Sequence, residues 1–207
     1  MNRVRIKICG LTRRADILHV AGCGADFVGL VFAESPRKVT AQAAAELLTD
    51  IPDSVKKVAL FMDQDEAFVR AVIAATHFDI LQFHGRESNQ WCRQFGKPFI
   101  KAIPMGDPSI AAKEITAYPD ADGLLMDSHA PGRAGGSGET FDWSLMKQSA
   151  QRLWLAGGLG PGNVARAISE VRPWAVDVSS GVERAPGIKD HDLVSSFIKA
   201  ARAAPTL

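Results

Sequence analysis

Short runs of β-branched and other apolar residues recur along the chain, and each is followed by a longer segment in which apolar residues repeat at helical spacing. This alternation is typical of parallel strands joined by helices. It predicts eight strands, at residues 4–9, 27–32, 57–62, 80–84, 99–103, 123–127, 153–156 and 175–179. It also predicts eight helices, at about residues 13–22, 40–49, 65–75, 88–95, 109–117, 142–149, 161–171 and 190–203.

The number of strands distinguishes between two architectures. An open doubly wound sheet typically has about five or six strands, whereas eight parallel strands joined by short loops can close into a barrel. The chain has 207 residues, 46% of them hydrophobic, which suffices for one sizeable core but not for two ordinary domains. We therefore predict an α/β fold, a compact (β/α)8 TIM barrel, as a single domain over residues 1–207.

Polar and apolar residues alternate within several predicted strands. In the first strand Arg5, Lys7 and Cys9 share one face, and the apolar residues between them share the other. If the apolar face packs against the helices, the polar face points into the barrel, where a buried charge needs a partner. Because the first and eighth strands become neighbours when the barrel closes, we predict that Lys7 pairs with Asp177. The same alternation places Gln82 and His84 on one face of the fourth strand and places Lys101 on the fifth strand. It also turns Asp127 and Asp177 toward the inside of the barrel.

Composition restricts the partners and the compartment. The 24 Lys and Arg residues balance 23 Asp and Glu residues, so no broad electrostatic field would hold a nucleic acid or an anionic membrane. Three cysteines without a CxxC pair argue against a disulfide framework or a zinc site. No apolar run approaches the roughly 20 residues of a membrane-spanning helix, and no signal-peptide pattern is present. We predict a cytoplasmic protein, a monomer or a homodimer, that binds neither nucleic acid nor membrane.

Reactive side chains stand where three predicted strands end. Active sites of these barrels lie at the carboxyl ends of the strands, and Cys9, His84 and Asp127 occupy such ends. A thiol beside Lys7 can have a lowered pKa and act as a base, although an unpaired cysteine is often inert core packing. Asp127 can protonate a leaving oxygen or merely cap a turn. We interpret His84 as a supporting polar residue of the site rather than a proton carrier.

Two small-residue loops follow predicted strands 7 and 8, which is the common phosphate site of this fold. The loop residues concerned are Gly157, Gly158, Ser179, Ser180 and Gly181. Glycines there can also just permit tight turns, but two such loops in the expected places favour a phosphorylated small-molecule substrate. Arg37, in the loop after the second strand, can bind a substrate carboxylate through two parallel hydrogen bonds, or it can simply be solvated.

Two further patterns concern cofactors. Residues 160–165 fit the GxGxxA form of a dinucleotide fingerprint, but they fall late in the chain, and Pro161 is typical of the first turn of a helix. The sequence contains no HExxH, no GxSxG elbow, no Walker loop and no clustered metal-ligand set. We expect neither a metal nor a cofactor. The glycine-rich stretch at 131–138, between strand 6 and the next helix, is more typical of a functional loop, and we hypothesise that it closes over the site.

These motifs together resemble the phosphoribosylanthranilate isomerase family, from the first strand to the last barrel loop. The motifs that carry the resemblance are residues 7–12, 35–37, 82–85, 127–128 with 135–138 and 141–143, 156–159, and 177–183 with Gly187, Lys189 and Asp190. Two positions depart from the family pattern: Phe83 stands where leucine is more familiar, and Glu139 stands where many relatives have a basic or neutral residue.

The resemblance implies an Amadori rearrangement in tryptophan biosynthesis, which converts N-(5-phosphoribosyl)anthranilate into 1-(2-carboxyphenylamino)-1-deoxyribulose 5-phosphate. It implies that Asp127 is the general acid that opens the furanose ring and that Cys9, as thiolate, removes the proton from the second sugar carbon. It also implies that Arg37 binds the substrate carboxylate while the loops after strands 7 and 8 bind the phosphate.

Three rival interpretations share the phosphate loops, which by themselves do not identify a reaction. An indole-glycerol-phosphate synthase would need a lysine acid and a glutamate at strand ends. A histidine-pathway isomerase would use an aspartate where this chain has Cys9. A non-catalytic barrel that binds a phosphometabolite would keep the loops and lose the acid and base, and both are present here.

Overall fold

The computed structural model describes residues 3–105, 108–127 and 151–205. Strands and helices alternate along these residues as predicted. In chain order they are β1 (Arg5–Cys9), α1 (Arg14–Gly22), β2 (Phe27–Val31), α2 (Ala41–Leu47), β3 (Lys56–Phe61), α3 (Glu66–Ala75), β4 (Ile80–Phe83), α4 (Asn89–Arg93), β5 (Phe99–Pro104), α5 (Pro108–Ala117), β6 (Gly123–Asp127), β7 (Arg152–Ala156), α6 (Val164–Val171), β8 (Ala175–Val178), β9 (Glu183–Ala185), β10 (Ile188–Lys189) and α7 (His191–Ala203). The predicted helix at 142–149, the stretch at 131–138 and the motif residues 128, 139 and 141–143 lie outside the described residues.

Strands β1 to β8 form a closed parallel barrel in which each strand pairs with the next and β8 pairs with β1. The predicted (β/α)8 architecture is therefore confirmed. In the closing pair, Lys7 lies in register with Asp177, and Nζ of Lys7 lies 2.7 Å from Oδ2 of Asp177. The predicted ion pair is confirmed, and it spans the seam where the first and last barrel strands meet.

Most predicted elements differ from the observed ones by one or two residues at an end, and two differences have a local cause. Strand β8 stops at Val178 because Ser179 leaves the extended conformation (φ −126°, ψ −83°) and begins a 3-10 turn over Ser180–Val182. Helix α6 starts only at Val164 because the Asn163 side chain bonds back to the preceding loop. The short antiparallel hairpin β9–β10 has no counterpart in the predicted pattern.

Apolar side chains pack in two layers on the two sides of the barrel wall. The larger layer lies between the strands and the helices, from Ile6 and Ile8 of β1 to Phe197 of α7. No helix among the residues described combines the length and the apolar character needed to cross a membrane. The inner layer fills the barrel with Phe27, Val58, Ile100, Ala102, Leu125, Trp154, Ala156 and Ala175.

Lys101 lies on the helix side of β5, away from the polar residues inside the barrel. Its neighbours Ile100 and Ala102 belong to the inner layer, so the strand alternation turns Lys101 outward. There its Nζ donates to the carbonyl of Gly85 (2.5 Å) and lies 3.5 Å from Oε2 of Glu87. Both charged side chains are buried, and each compensates the charge of the other.

At the opposite end from the strand carboxyl termini, a buried carboxylate ties the chain ends to the barrel. Asp26 accepts hydrogen bonds from Arg5 (3.0 Å), from Arg202 of α7 (2.7 Å) and from the Ile6 backbone (2.9 Å). Burial alone would raise the pKa of Asp26, but these bonds outweigh burial and lower the pKa. The charged form of Asp26 therefore stabilises the folded chain.

We expect Asp26→Asn to lower the free energy of unfolding at pH 7 by about 2 kcal/mol, because a neutral amide forms weaker bonds with the guanidinium groups. The wild-type advantage is present above the ordinary aspartate pKa of about 3.9 and is lost as the pH falls through the lower pKa of the folded state. Urea unfolding at several pH values measures it. An equal difference at pH 7 and pH 2.5 would contradict this account.

Candidate active site

One cavity opens at the carboxyl ends of the barrel strands and encloses about 250 Å³. Its walls combine side chains from β1, β4 and β6 with the loops that follow β2, β7 and β8. Every site residue predicted from the sequence lines this cavity: Cys9, Arg37, His84, Asp127, Gly157, Gly158, Ser179, Ser180 and Gly181. Residues that lie up to 172 positions apart in the chain thus meet at one rim, as the parallel topology requires.

Cys9 ends β1 with its side chain turned into the barrel beside Lys7, and it is buried. Burial raises the pKa of the Cys9 thiol above its ordinary value, and the Lys7 ammonium lowers it only in part. The expectation of a lowered thiol pKa is therefore wrong. Lys7 cannot favour the thiolate fully because its charge is already neutralised by Asp177.

Gly29 on β2 creates the space that the Cys9 thiol occupies. A β-carbon at position 29 would lie 2.9 Å from Sγ of Cys9 and 3.0 Å from Cε of Lys7. Non-bonded carbon and sulfur atoms do not approach so closely without displacement. The thiol position therefore depends on the absence of a side chain on the neighbouring strand.

We expect Gly29→Ala to lower kcat by about tenfold or more, because moving the thiol by a fraction of an ångström misaligns it with a bound substrate. Steady-state kinetics measures this loss. Gly22→Ala is the matched control, because Gly22, like Gly29, has no left-handed backbone and a β-carbon there would have no atom within 4 Å, so it should leave kcat unchanged. Unchanged kcat in Gly29→Ala would contradict the argument.

Asp127 ends β6 and faces the same cavity as Cys9. In the ring of strands, β7 and β8 separate β6 from β1, so the carboxyl group and the thiol stand on different sides of the cavity with the two glycine-rich loops between them. The register aligns Asp127 with Pro104 on one neighbour and Ala156 on the other. This arrangement suits an acid and a base that act on one molecule from two sides.

The loops after β7 and β8 touch each other and are shaped by glycine. Gly157 and Gly158 both have left-handed backbones (φ +88° and +63°), which other residues rarely adopt. Asn163 fixes the first loop, accepting from the Gly160 amide (2.8 Å) and donating to the Gly158 carbonyl (2.9 Å). A β-carbon on Gly181 would overlap the Leu159 carbonyl oxygen, so only glycine lets the second loop pack against the first. Such loops at helix N-termini present backbone amides to an anion.

Arg37 projects into the cavity from the loop after β2, but its guanidinium already has a partner. Nε and Nη2 donate to the two carboxylate oxygens of Glu183, at 2.8 and 2.7 Å. The parallel pair of bonds that the sequence suggested for a substrate carboxylate is thus made within the protein. Among described residues Nη1 makes no hydrogen bond, which leaves that amino group for a ligand.

His84 stands at the cavity edge after β4, paired with Gln82. Its Nε2 lies 2.5 Å from Nε2 of Gln82. Burial, together with the Lys7 and Lys101 charges, lowers the pKa of His84 to about 3, so the ring is neutral at physiological pH and is a hydrogen-bonding group rather than a cation. Within the described part of the chain, two buried acceptors in the cavity wall have no partner, Oε1 of Gln82 and Oδ1 of Asp177.

Three residues next to the cavity have roles that the sequence pattern does not reveal. Glu183 and Lys189 form a buried pair next to Arg37, and Gly29 makes room for the thiol. The family motif includes Glu183 and Lys189, but no rule of spacing indicates that they contact Arg37. The described residues contain no group of three or more His, Cys, Asp or Glu side chains arranged to hold a metal ion.

Comparison with known proteins gives a consistent result over the whole length. Residues 6–200 match the family described as N-(5'phosphoribosyl)anthranilate (PRA) isomerase. The N-(5'-phosphoribosyl)anthranilate isomerase of Thiobacillus denitrificans is 48% identical over 202 residues, which cover 97% of this chain and 98% of that protein. The crystal structure of phosphoribosyl anthranilate isomerase from Thermotoga maritima superposes with a TM-score of 0.87 at 38% identity, covering 96% of this chain and 98% of that one. A phosphoribosyl anthranilate isomerase in complex with reduced 1-(o-carboxyphenylamino)-1-deoxyribulose 5-phosphate has a TM-score of 0.84 at 36% identity, with coverage of 96% and 98%.

Proposed function

The chain belongs to the N-(5'-phosphoribosyl)anthranilate isomerase family, and from that premise we propose that Cys9 and Asp127 perform the rearrangement at the barrel mouth. The protein is an isomerase of tryptophan biosynthesis that works by general acid and base catalysis. The observation that carries the assignment of residues is their convergence: the thiol, the carboxyl group, the arginine and both glycine-rich loops line one cavity.

In the proposed mechanism, Asp127 donates a proton to the furanose ring oxygen of N-(5-phosphoribosyl)anthranilate. The bond between that oxygen and the first sugar carbon breaks, and the anthranilate nitrogen supplies its electron pair to form an iminium. Cys9 as thiolate removes the proton from the second sugar carbon. The resulting enolamine tautomerises to the ketone 1-(2-carboxyphenylamino)-1-deoxyribulose 5-phosphate.

The raised pKa of Cys9 fits this order of events. The thiol is mainly protonated beside the neutralised Lys7, so it must first release its own proton to solvent before the thiolate can remove a proton from the substrate. Formation of the cationic iminium next to the sulfur favours its negative form, because an opposite charge nearby stabilises a thiolate. Ring opening by Asp127 therefore also prepares the base for the second step.

The substrate would be held at both ends. Its phosphate lies against the amides of the loops that contain Gly157, Gly158, Ser179, Ser180 and Gly181, and its carboxylate lies against Nη1 of Arg37. Two anchors fix the reacting carbon between the acid and the base, which converts binding energy into orientation. The neutral ring of His84 and the unpartnered oxygens of Gln82 and Asp177 supply hydrogen bonds to polar groups between the anchors.

The substrate is a small phosphorylated molecule. The proposed location of the protein is the cytoplasm, and its proposed oligomeric state is a monomer or a homodimer. The free cysteines support this location, and the balanced charge supports a protein that binds neither nucleic acid nor membrane. Light scattering of the purified protein measures the number of subunits.

The experiment that tests the function generates N-(5-phosphoribosyl)anthranilate in place and follows the loss of anthranilate-type fluorescence when the protein is added. We expect turnover at or above about 1 per second, as is ordinary for enzymes. Two comparison substrates test the rival functions. One is the aminoaldose of the histidine pathway, and the other is the product of the present reaction, which the indole-glycerol-phosphate synthase consumes. Turnover of either without turnover of N-(5-phosphoribosyl)anthranilate would replace the proposed function with the corresponding rival.

A further inference from the structure

We propose that Glu183 and Lys189 are positioning residues that hold the carboxylate anchor and the phosphate loop of the site at a fixed separation. Neither residue is among the described residues that line the cavity. Both lie in the β9–β10 hairpin behind the cavity, and both are almost completely buried. The inference rests on the proposed function, since it takes Arg37 and the loop after β8 as the two ends of the substrate site.

The contacts of Glu183 explain how it sets Arg37. Its two carboxylate oxygens accept two parallel bonds from the guanidinium, at 2.8 and 2.7 Å, a geometry that fixes the plane of the guanidinium as well as its position. The Arg37 stem also crosses Gly10, which has a left-handed backbone (φ +72°) and whose missing β-carbon would meet it. Arg37 is therefore held from two sides, with Nη1 directed away from Glu183.

Lys189 connects this arginine to the phosphate loop. Its Nζ donates to Oε1 of Glu183 at 2.7 Å and to the carbonyl of Ser179 at 3.0 Å. Ser179 begins the 3-10 turn, and Ser180 and Gly181 of that turn line the cavity. The buried Lys189 therefore fixes the position of the peptide from which this loop starts.

The charges of Arg37, Glu183 and Lys189 keep these three side chains bound to one another. Burial alone would raise the pKa of Glu183, but the bonds from Arg37 and Lys189 outweigh burial and lower the pKa. The carboxylate stays ionised at physiological pH, with one anion shared between two cations. The hairpin itself is fastened to the loop after β1, since Thr12 Oγ1 donates to the Gly187 carbonyl at 2.5 Å and the Gly187 amide lies 3.3 Å from Glu183 Oε1.

The test compares Glu183→Gln and Lys189→Met with wild type by steady-state kinetics and by calorimetric binding of inorganic phosphate. We expect Glu183→Gln to raise KM about tenfold or more with kcat within about threefold, because a lost remote anchor weakens ground and transition states alike. Its Kd for phosphate should stay within about twofold, whereas Lys189→Met should raise both KM and the phosphate Kd by about fivefold or more, because it also releases Ser179.

A double-mutant cycle separates positioning from a merely structural role. In an Arg37→Met background, Glu183→Gln should raise KM further by less than about twofold, because the group through which it acts is gone. Equal losses in both backgrounds, a fall in kcat with KM unchanged, or an unchanged phosphate Kd in Lys189→Met would overturn the proposal. Thermal unfolding confirms that each variant is folded, and Lys189→Arg, which keeps the charge, should recover most of the phosphate affinity.

Failure of the proposed function gives a different result. A wild-type protein without turnover of N-(5-phosphoribosyl)anthranilate would contradict the function itself. The phosphate titrations need no turnover, so the comparison of wild type with Lys189→Met still tests whether the lysine positions the anion-binding loop.

Discussion

Replacement of Cys9 by serine lowers kcat by about 10²–10⁴-fold with KM changed by less than about threefold, the range expected when a general base is lost. A hydroxyl has nearly the size of the thiol but does not ionise near neutral pH, so it cannot remove the proton from the second sugar carbon. Cys23→Ser is the control, since Cys23 lies at the end of α1 next to His19 and not in the cavity. The fluorescence assay measures all three proteins.

The raised pKa of Cys9 adds a second, independent readout. Because the thiolate is the reactive form, both kcat/KM and the rate of Cys9 alkylation by iodoacetamide should increase with pH above neutrality. The alkylation rate of Cys9→Ser gives the background. A Cys9→Ser enzyme with near-normal kcat, or a wild-type kcat/KM that falls from pH 6 to pH 8, would remove Cys9 from the mechanism.

Replacement of Asp127 by asparagine also lowers kcat by about 10²–10⁴-fold, because an amide cannot donate the proton that opens the furanose ring. Affinity for the reduced product analogue should change little, because the two anchors remain. Asp122→Asn is the matched control: Asp122 immediately precedes the same strand at the other end of the barrel, where it accepts from the Phe99 amide at 3.2 Å.

Two outcomes would contradict the role of Asp127. Turnover within about threefold of wild type would mean that another group supplies the proton. A large loss of affinity for the product analogue with kcat retained would mean that Asp127 binds the substrate and does not protonate it.

The barrel was predictable because its pattern is local and repeated. Alternation within strands and helical spacing between them locate each element to within a residue or two at most ends, and closure then follows from the count. The Lys7–Asp177 pair was predictable for the same reason, since parity puts both side chains inside and closure makes their strands adjacent. The β9–β10 hairpin escaped prediction because strands of three and two residues leave too short a pattern to detect.

The sequence predicted which residues form the site, but it did not predict their ion pairs or their pKa values. Topology brings every strand end to one rim, so the sequence alone identifies the residues at those ends. The bond between Arg37 and Glu183 and the raised pKa of Cys9 could not be derived in this way. The first depends on a carboxylate 146 positions away in the chain. The second depends on burial of the thiol and on Asp177, which neutralises the neighbouring Lys7.

The seam between β1 and β8 also constrains how the protein emerges from the ribosome. Lys7 is made 170 residues before Asp177, its buried counter-charge. Until the eighth strand is translated, the first strand has an exposed edge and an unneutralised ammonium, so the ring cannot close before that strand is made. Translation speed over the stretch that encodes the eighth strand is therefore expected to affect the yield of folded enzyme more than speed over the stretch that encodes the first.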